Sequence, residues 1–172
     1  MHVPVASRRL SNPRPMVSFT FDDAPKSAAT TGAALLEAFG AHGTFYIAGS
    51  LVGESSDDWR VLDPHDIIAL HRKGHEIGCH TYSHIRTLEL DEVAMAAEIA
   101  RNRRFLQNLD PSIDPVNFAY PYGWGSYAGK GQLGTAFRSS RSIVPGINSG
   151  LVDPQFLRAI PLIEHKIDRA AI

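Results

Sequence analysis

Two adjacent carboxylates end an apolar run in Val17-Ser18-Phe19-Thr20-Phe21-Asp22-Asp23, and a second short run, Glu76-Ile77-Gly78-Cys79, leads into His80 and His84, four residues apart. A divalent cation is well served by two neutral imidazoles and a carboxylate with one position left open for water, and a second carboxylate beside it can take that water's proton. The four side chains are therefore a candidate hydrolytic metal site. Each half has a plain alternative. Asp22-Asp23-Ala24-Pro25 has the composition of a turn, and His80 and His84 are two of eight histidines in the chain, enough for a chance spacing of four. The combination is what carries weight.

These groups can meet only if the elements that precede them lie side by side. The pattern predicts a strand over 16–21 and a helix over 28–39 whose exit is bracketed by Gly40 and Gly43. A strand over 44–48 and a polar loop over 53–58 follow. Asp63-Pro64 reads as an N-cap with proline at the first helical position, opening a helix to about Lys73. A strand over 75–79 comes next, then the His80–Arg86 loop and a long helix from Asp91-Glu92 to about Leu109. The remainder reads as a strand over 116–120, a glycine-rich loop through Gly131, a short helix over 132–137, and strands near 142–144 and 156–160. Repeated strand–helix units imply parallel strands with helical crossovers.

Side chains alternate along a strand. Ser18, Thr20 and Asp22 therefore share one face and Val17, Phe19 and Phe21 the other, while Glu76, Gly78 and His80 stand opposite Ile77 and Cys79. One face is small and polar, the other bulky and apolar, as expected of a barrel with a tight polar interior and a helix-covered exterior. The expected fold is an α/β, distorted (β/α) barrel; a doubly wound open sheet is the alternative. In barrels the loops that carry chemistry lie at the C-terminal ends of the strands, where Asp22-Asp23 and His80/His84 both fall.

With 172 residues and 44% hydrophobic content the chain can bury one substantial core, and a single domain over 16–172 behind a leader over 1–15 is expected. The 17 basic and 18 acidic residues are nearly balanced with no basic stripe, so nucleic acid is not expected as a partner. Cys79 is the sole cysteine, which excludes an internal disulfide and is expected to pack as a small hydrophobe. No segment has the apolar length of a signal peptide or a membrane span, so a cytoplasmic location without membrane association is the expectation.

The motifs resemble those of the polysaccharide deacetylases, the NodB-homology group of carbohydrate esterases. Thr20-Phe21-Asp22-Asp23-Ala24-Pro25 is similar to the family's first motif and His80-Thr81-Tyr82-Ser83-His84 to its second. Gly43-Thr44-Phe45-Tyr46 and Gly74-His75-Glu76-Ile77-Gly78 are similar to the strands that approach them. The resemblance implies that Asp23, His80 and His84 hold a divalent ion, by default zinc, with cobalt, manganese or nickel also compatible. It implies that Asp22 is the general base and that the reaction removes an N-acetyl group from an acetylated amino sugar: water gives a proton to Asp22 and attacks the acetyl carbonyl, which the ion polarises. Ala119-Tyr120-Pro121-Tyr122-Gly123 is similar to the third motif, which makes the main-chain nitrogen of Tyr122 the oxyanion donor. Pro121, Trp124 and Tyr127 are the expected saccharide contacts. Tyr82 is a further aromatic near the mouth, and Tyr120 is expected to pack.

Two departures from the family pattern stand out. The third motif's arginine, which helps orient the catalytic aspartate, is Ala119 here, and Arg138 or Arg141 is the candidate to replace it. The last motif, whose histidine protonates the leaving amine, has only Leu162-Ile163-Glu164-His165 as a loose counterpart. A barrel of this type usually uses more chain, so the last strand and helix are expected to be missing, with either association of two copies across the gap or poor stability as a consequence. Two other functions fit the same residues: an amidohydrolase acting on a small amide, or a saccharide-binding module that has lost catalysis.

Overall fold

The computed structural model describes residues 6–55 and 59–162. In chain order its elements are β1 (Arg8–Arg9), β2 (Phe19–Asp22), a π-helical turn (Ala28–Gly32) continuing as α1 (Ala33–Ala38), β3 (Gly43–Ile47), α2 (Pro64–Arg72), β4 (Glu76–Cys79), α3 (Glu92–Leu109), β5 (Asn117–Ala119), α4 (Tyr127–Ala136), β6 (Ser139–Arg141) and β7 (Leu151–Val152). Short 3-10 turns follow three of the strands, at Gly49–Leu51, Thr87–Glu89 and Pro121–Gly123.

Strands β2 to β6 form one parallel sheet in the order of the chain. A doubly wound sheet reverses direction at a switch point, whereas strands added one after another in one direction build the wall of a (β/α) barrel. The fold is of the distorted (β/α)-barrel type, as the alternation of elements predicts.

The expected faces are also found. On the helix side Phe21 stacks on Phe45 with ring centroids 4.7 Å apart, and Phe45, Ile47, Ile77, Leu62, Ile67, Leu70, Leu106 and Ile113 form a buried cluster beneath α2 and α3. Cys79, Met95, Ile99, Phe118, Leu133 and Phe137 form a second. Each fully buried Ile, Leu or Phe contributes about 1.5–3 kcal/mol. Cys79 is one of these core residues; burial pushes its thiol up to about 11, against the lowering effect of a hydrogen bond from Asn102.

On the inner face a polar ladder crosses the strands. Thr44 Oγ1 donates to Glu76 Oε2 (2.8 Å), Asn117 Nδ2 to Glu76 Oε1 (2.6 Å) and Ser139 Oγ to Asn117 Oδ1 (2.8 Å).

Several boundaries differ from the sequence pattern for identifiable reasons. The first sheet strand begins at Phe19 rather than residue 16, because β3 starts opposite it at Gly43 and leaves Met16 and Val17 unpaired and exposed. The helix expected from residue 28 opens as a π turn, in which Thr30 Oγ1 bonds back to Lys26 O; such back-bonding competes with the regular ladder. Helix α4 begins at Tyr127, five residues early, because Ser126 Oγ accepts from Gly129 N and caps a segment whose glycines disguise it. The strand expected near 142–144 lies at Ser139–Arg141, where polar side chains suit the inner face and apolar Ile143 does not. Residues near 156–160 run alongside it through a parallel bridge between Arg141 and Leu157 but do not form a strand. The pairing of Arg8–Arg9 with Leu151–Val152 had no signal in the sequence. Among the described residues no helix is long and apolar enough to cross a membrane.

Candidate functional site

The loops that leave β2 and β4 bring Asp23, His80 and His84 together, with one ligand atom of each lying within 4.8 Å of the others. Both imidazole Nε2 atoms face one oxygen, Asp23 Oδ1, at 3.3 Å from His80 and 2.9 Å from His84. Ligands about 2.0–2.2 Å from a tetrahedral ion stand about 3.3–3.6 Å from one another, so the cluster is close to the size a zinc-like cation requires. Nδ1 of His80 lies 2.8 Å from Ala119 O. A proton on Nδ1 makes that hydrogen bond and leaves the Nε2 lone pair aimed at the cluster, the usual second contact of a ligating histidine. Asp23 Oδ1 is buried and, despite the two close nitrogens, receives no directed hydrogen bond. Burial alone would raise the proton affinity of Asp23, but the adjoining His80 and His84 outweigh it and hold the carboxyl well below its ordinary range. An ionised carboxylate oxygen, buried, without a directed hydrogen bond and faced by two imidazole nitrogens, fits a divalent cation.

The backbone here is unusual. Asp23, Ala24, Thr81, His84 and Tyr122 are the non-glycine residues with positive φ among those described, and all five sit in the loops after β2, β4 and β5. Each such conformation costs on the order of 1 kcal/mol and persists only where the surroundings impose it. Here it re-aims carboxylate and imidazole at a point that a regular strand exit would not reach.

Asp22 ends β2 on the inner face. Its Oδ1 accepts a hydrogen bond from Arg141 Nη2. Arg141 is buried on β6, where its backbone pairs with Ala119. The arginine missing from the third motif is thus supplied by the neighbouring strand, at the matching register. Arg138 is exposed and is not the replacement. Beneath the guanidinium lies the ring of Tyr46, 5.1 Å away. Gly78 makes room for that ring, since a Cβ there would meet it at 2.5 Å. Gly78, Tyr46, Arg141 and Asp22 form one column of contacts.

Helix α3 supplies residues with no motif to announce them. Glu98 accepts hydrogen bonds from Tyr82 N (3.0 Å), Ser83 N (2.7 Å) and Ser83 Oγ (2.9 Å), so it clamps the loop between the two histidines. One turn on, buried Asn102 accepts from Gly49 N and donates to Ile47 O and Cys79 Sγ, tying the ends of β3 and β4. Arg101 covers the Tyr82 ring at 3.8 Å, and Phe105 meets its edge. Tyr82 is therefore packed under α3 and is not an aromatic of the mouth. The i, i+4 spacing of Glu98 and Asn102 is the only trace in the sequence.

The third loop closes the site from the other side. The Tyr122 ring lies 4.8 Å from the His84 ring and its backbone is left-handed, between buried Pro121 and Gly123. Thr87 Oγ1 donates to Trp124 O (2.6 Å), binding the second loop to the third. Trp124 and Tyr127 are exposed, although Tyr127 is the first residue of α4 rather than part of a loop. Tyr120 is buried, with its hydroxyl donating to Gln155 O, and packs as expected. His165 lies outside the described residues.

A parallel barrel-type wall with a two-imidazole, one-carboxylate cluster at its C-terminal edge defines the class of architecture. Comparison supplies the family: the chain belongs to the polysaccharide deacetylases, whose sequence model matches residues 9–128. That match contains all three loops and stops short of Arg141. A chitin deacetylase of Arthroderma benhamiae is 31% identical over 110 residues, which are 62% of this chain and 27% of that protein. The chain therefore spans about a quarter of this curated relative. Among solved structures, IcaB from Ammonifex degensii superposes with a TM-score of 0.78 at 21% identity, covering 91% of this chain and 71% of that one. The deacetylase PplD from Streptococcus pyogenes, in complex with acetate, gives 0.74 at 18% identity, covering 87% and 66%. A polysaccharide deacetylase from Bacillus cereus gives 0.69 at 15% identity, covering 83% and 46%. At these identities the structural likenesses establish the fold.

Proposed function

We propose that the chain is a metal-dependent hydrolase that removes N-acetyl groups from acetylated amino sugars, with Asp23, His80 and His84 as metal ligands and Asp22 as general base. The observation that carries this reading is the convergence of three ligand atoms on one point, next to a carboxylate that Arg141 holds in place. Family membership and the acetate held by one structural neighbour point the same way. The donor set suits zinc, with cobalt, manganese and nickel as alternatives.

When bound, the ion would supply Lewis acidity, lowering the pKa of water and polarising the acetyl oxygen. The chain's own residues do the rest. With Oδ1 of Asp22 engaged by Arg141, Oδ2 is the oxygen available to accept the proton of the attacking water. The main-chain nitrogen of Tyr122 is the proposed donor to the developing oxyanion, and the strained φ of 59° at that residue would fix its direction. Trp124 and Tyr127 offer exposed rings on which sugars can stack, whereas Pro121, the third expected contact, is buried.

The test is acetate release from N-acetylated chitooligosaccharides by protein loaded with each metal, against chelator-treated protein. Acetate that appears with metal and vanishes with Asp22→Asn supports the proposal. Cleavage of a small cyclic amide without release from any saccharide would assign the chain to a different amidohydrolase. Metal and sugar binding without acetate would make it a binding module.

A further inference from the structure

We propose that Arg86 selects acidic substrates: N-acetylated saccharides whose neighbouring unit carries a carboxylate or a phosphate. The inference rests on the deacetylase reading of the site and names the substrate class it would serve. Arg86 stands two residues after His84, and its guanidinium carbon lies 4.9 Å from the centre of the Tyr122 ring. The same ring lies 4.8 Å from the ring of His84. One aromatic ring therefore separates the cation from the candidate metal centre. A neighbouring group of a bound saccharide would fall there, beyond the acetyl group itself.

The backbone at Arg86 is held by its surroundings. Thr87, next in sequence, is buried and its hydroxyl is bonded to Trp124 O, and the Arg86 carbonyl accepts from Glu89 N in the 3-10 turn. A guanidinium carbon over the Tyr122 ring is a cation–π contact that does not consume the N–H donors, which can make a two-pronged contact with an oxyanion. Among the described residues those donors make no hydrogen bond or ion pair. Of the acids in the site, Asp22 is engaged by Arg141 and Glu98 by the Tyr82–Ser83 backbone, and Glu89, in the turn that follows Arg86, makes no ion pair with it. A lysine could not stack and reach in this way. What the geometry leaves beside Tyr122 is an exposed guanidinium whose N–H donors are unused among the described residues.

The experiment compares four N-acetylated oligosaccharides in two pairs: a tetrasaccharide alternating N-acetylglucosamine with glucuronic acid and its methyl ester, and a phosphorylated N-acetylated disaccharide and its dephosphorylated form. The readouts are acetate release and, independently, binding by calorimetry. The wild type is expected to favour the acid over its ester, or the phosphorylated over the plain disaccharide, by about three- to tenfold at low salt. The preference should fade when salt shortens the screening length to about 3 Å. Arg86→Gln should bring the ratio to within about twofold of unity, and Arg86→Lys should keep part of it. Equal handling of charged and neutral partners by the wild type overturns the proposal, as does a preference that survives in Arg86→Gln. A variant that loses acid and ester in equal proportion shows that Arg86 only supports Tyr122, and also overturns it. Absence of acetate from every saccharide would sink the deacetylase reading, while the binding ratio of acid to ester still decides the role of Arg86.

Discussion

Where β3 and β4 begin, polar side chains are fully employed. His75 is buried with Nδ1 accepting from Gly43 N (3.0 Å) and Nε2 against Glu37 (3.1 Å), and Glu37 also accepts from Lys73. Glu76 is saturated by Thr44 and Asn117. At the other end of the sheet, after β2, β4 and β5, the left-handed non-glycine residues collect, and with them come Asp23 Oδ1, Thr81 Oγ1 and Arg141 Nε, buried atoms that lack a hydrogen-bond partner. Strands of one sheet thus start in satisfied, unstrained structure and finish in strained, under-satisfied structure. Unmet polar capacity of this kind, held in place by a rigid wall, is what a site needs if it is to bind an ion and a transition state more tightly than it binds itself.

The sharpest way to break this contrast is at Asp23. Asn tolerates the left-handed backbone and keeps the side chain's size while removing the charge. Asp23→Asn should lose metal, read by elemental analysis, and at least about a thousandfold in acetate release. The melting temperature of the metal-free variant should stay within a few degrees of metal-free wild type, since the cost of burying the carboxylate and its attraction to His80 and His84 oppose each other. A variant that keeps its metal, or that melts far below the wild type, would show that Asp23 belongs to the stabilising part of the molecule.

Arg141 comes next in size. Arg141→Met should lower kcat by about ten- to a hundredfold through loss of the charge-assisted contact to Asp22, with metal content unchanged and KM little altered. A change confined to KM would mean that Arg141 meets the substrate instead of orienting the base. Arg138→Met, on an exposed side chain, is the matched control.

A smaller effect is expected from Glu98. Removing it with Glu98→Ala leaves the amides of Tyr82 and Ser83 without their acceptor and frees the loop between the histidines. Metal affinity, measured by competition with a coloured chelator, should fall about ten- to a hundredfold, the usual range for an outer contact. Unchanged affinity would mean that the strained loop holds its shape without α3.

What could be read from the chain divides along the same line. The wall was legible because alternation along β2 and β4 separates small or polar Thr20, Asp22, Glu76 and Gly78 from apolar Phe19, Phe21, Ile77 and Cys79, and because Asp63-Pro64 and Asp91 mark helix starts by their chemistry. The cluster was legible because its ligands are rare residue types at loop positions. Arg141 could be named only as one of two candidates, since strand register, unlike strand composition, depends on pairing across the sheet. Glu98 and Asn102 stayed hidden because a carboxylate and an amide on an amphipathic helix look like its solvent face. Tyr82 was misplaced for the converse reason: an aromatic beside a motif looks like a substrate contact until the helix that covers it is placed.

The smallest effect belongs to the satisfied end, and it is a matter of pH. Glu37 is held below its ordinary value of 4.5, chiefly by the hydrogen bond from His75 and then by Lys73, with a small opposing push from burial. A carboxyl whose folded pKa is depressed contributes stability in full above its unfolded value, and that contribution disappears as pH falls through the folded one. Glu37→Gln should therefore melt lower than wild type at neutral pH, and the gap should shrink as the pH drops below about 4.5 until the two curves meet in acid. Turnover per folded molecule should not change, because the contact lies at the far end of the strands from Asp22 and the histidines. A gap that stays constant through the acid range would mean that the side chain contributes by packing rather than by charge; a drop in turnover at neutral pH would mean that the two ends of the sheet are coupled.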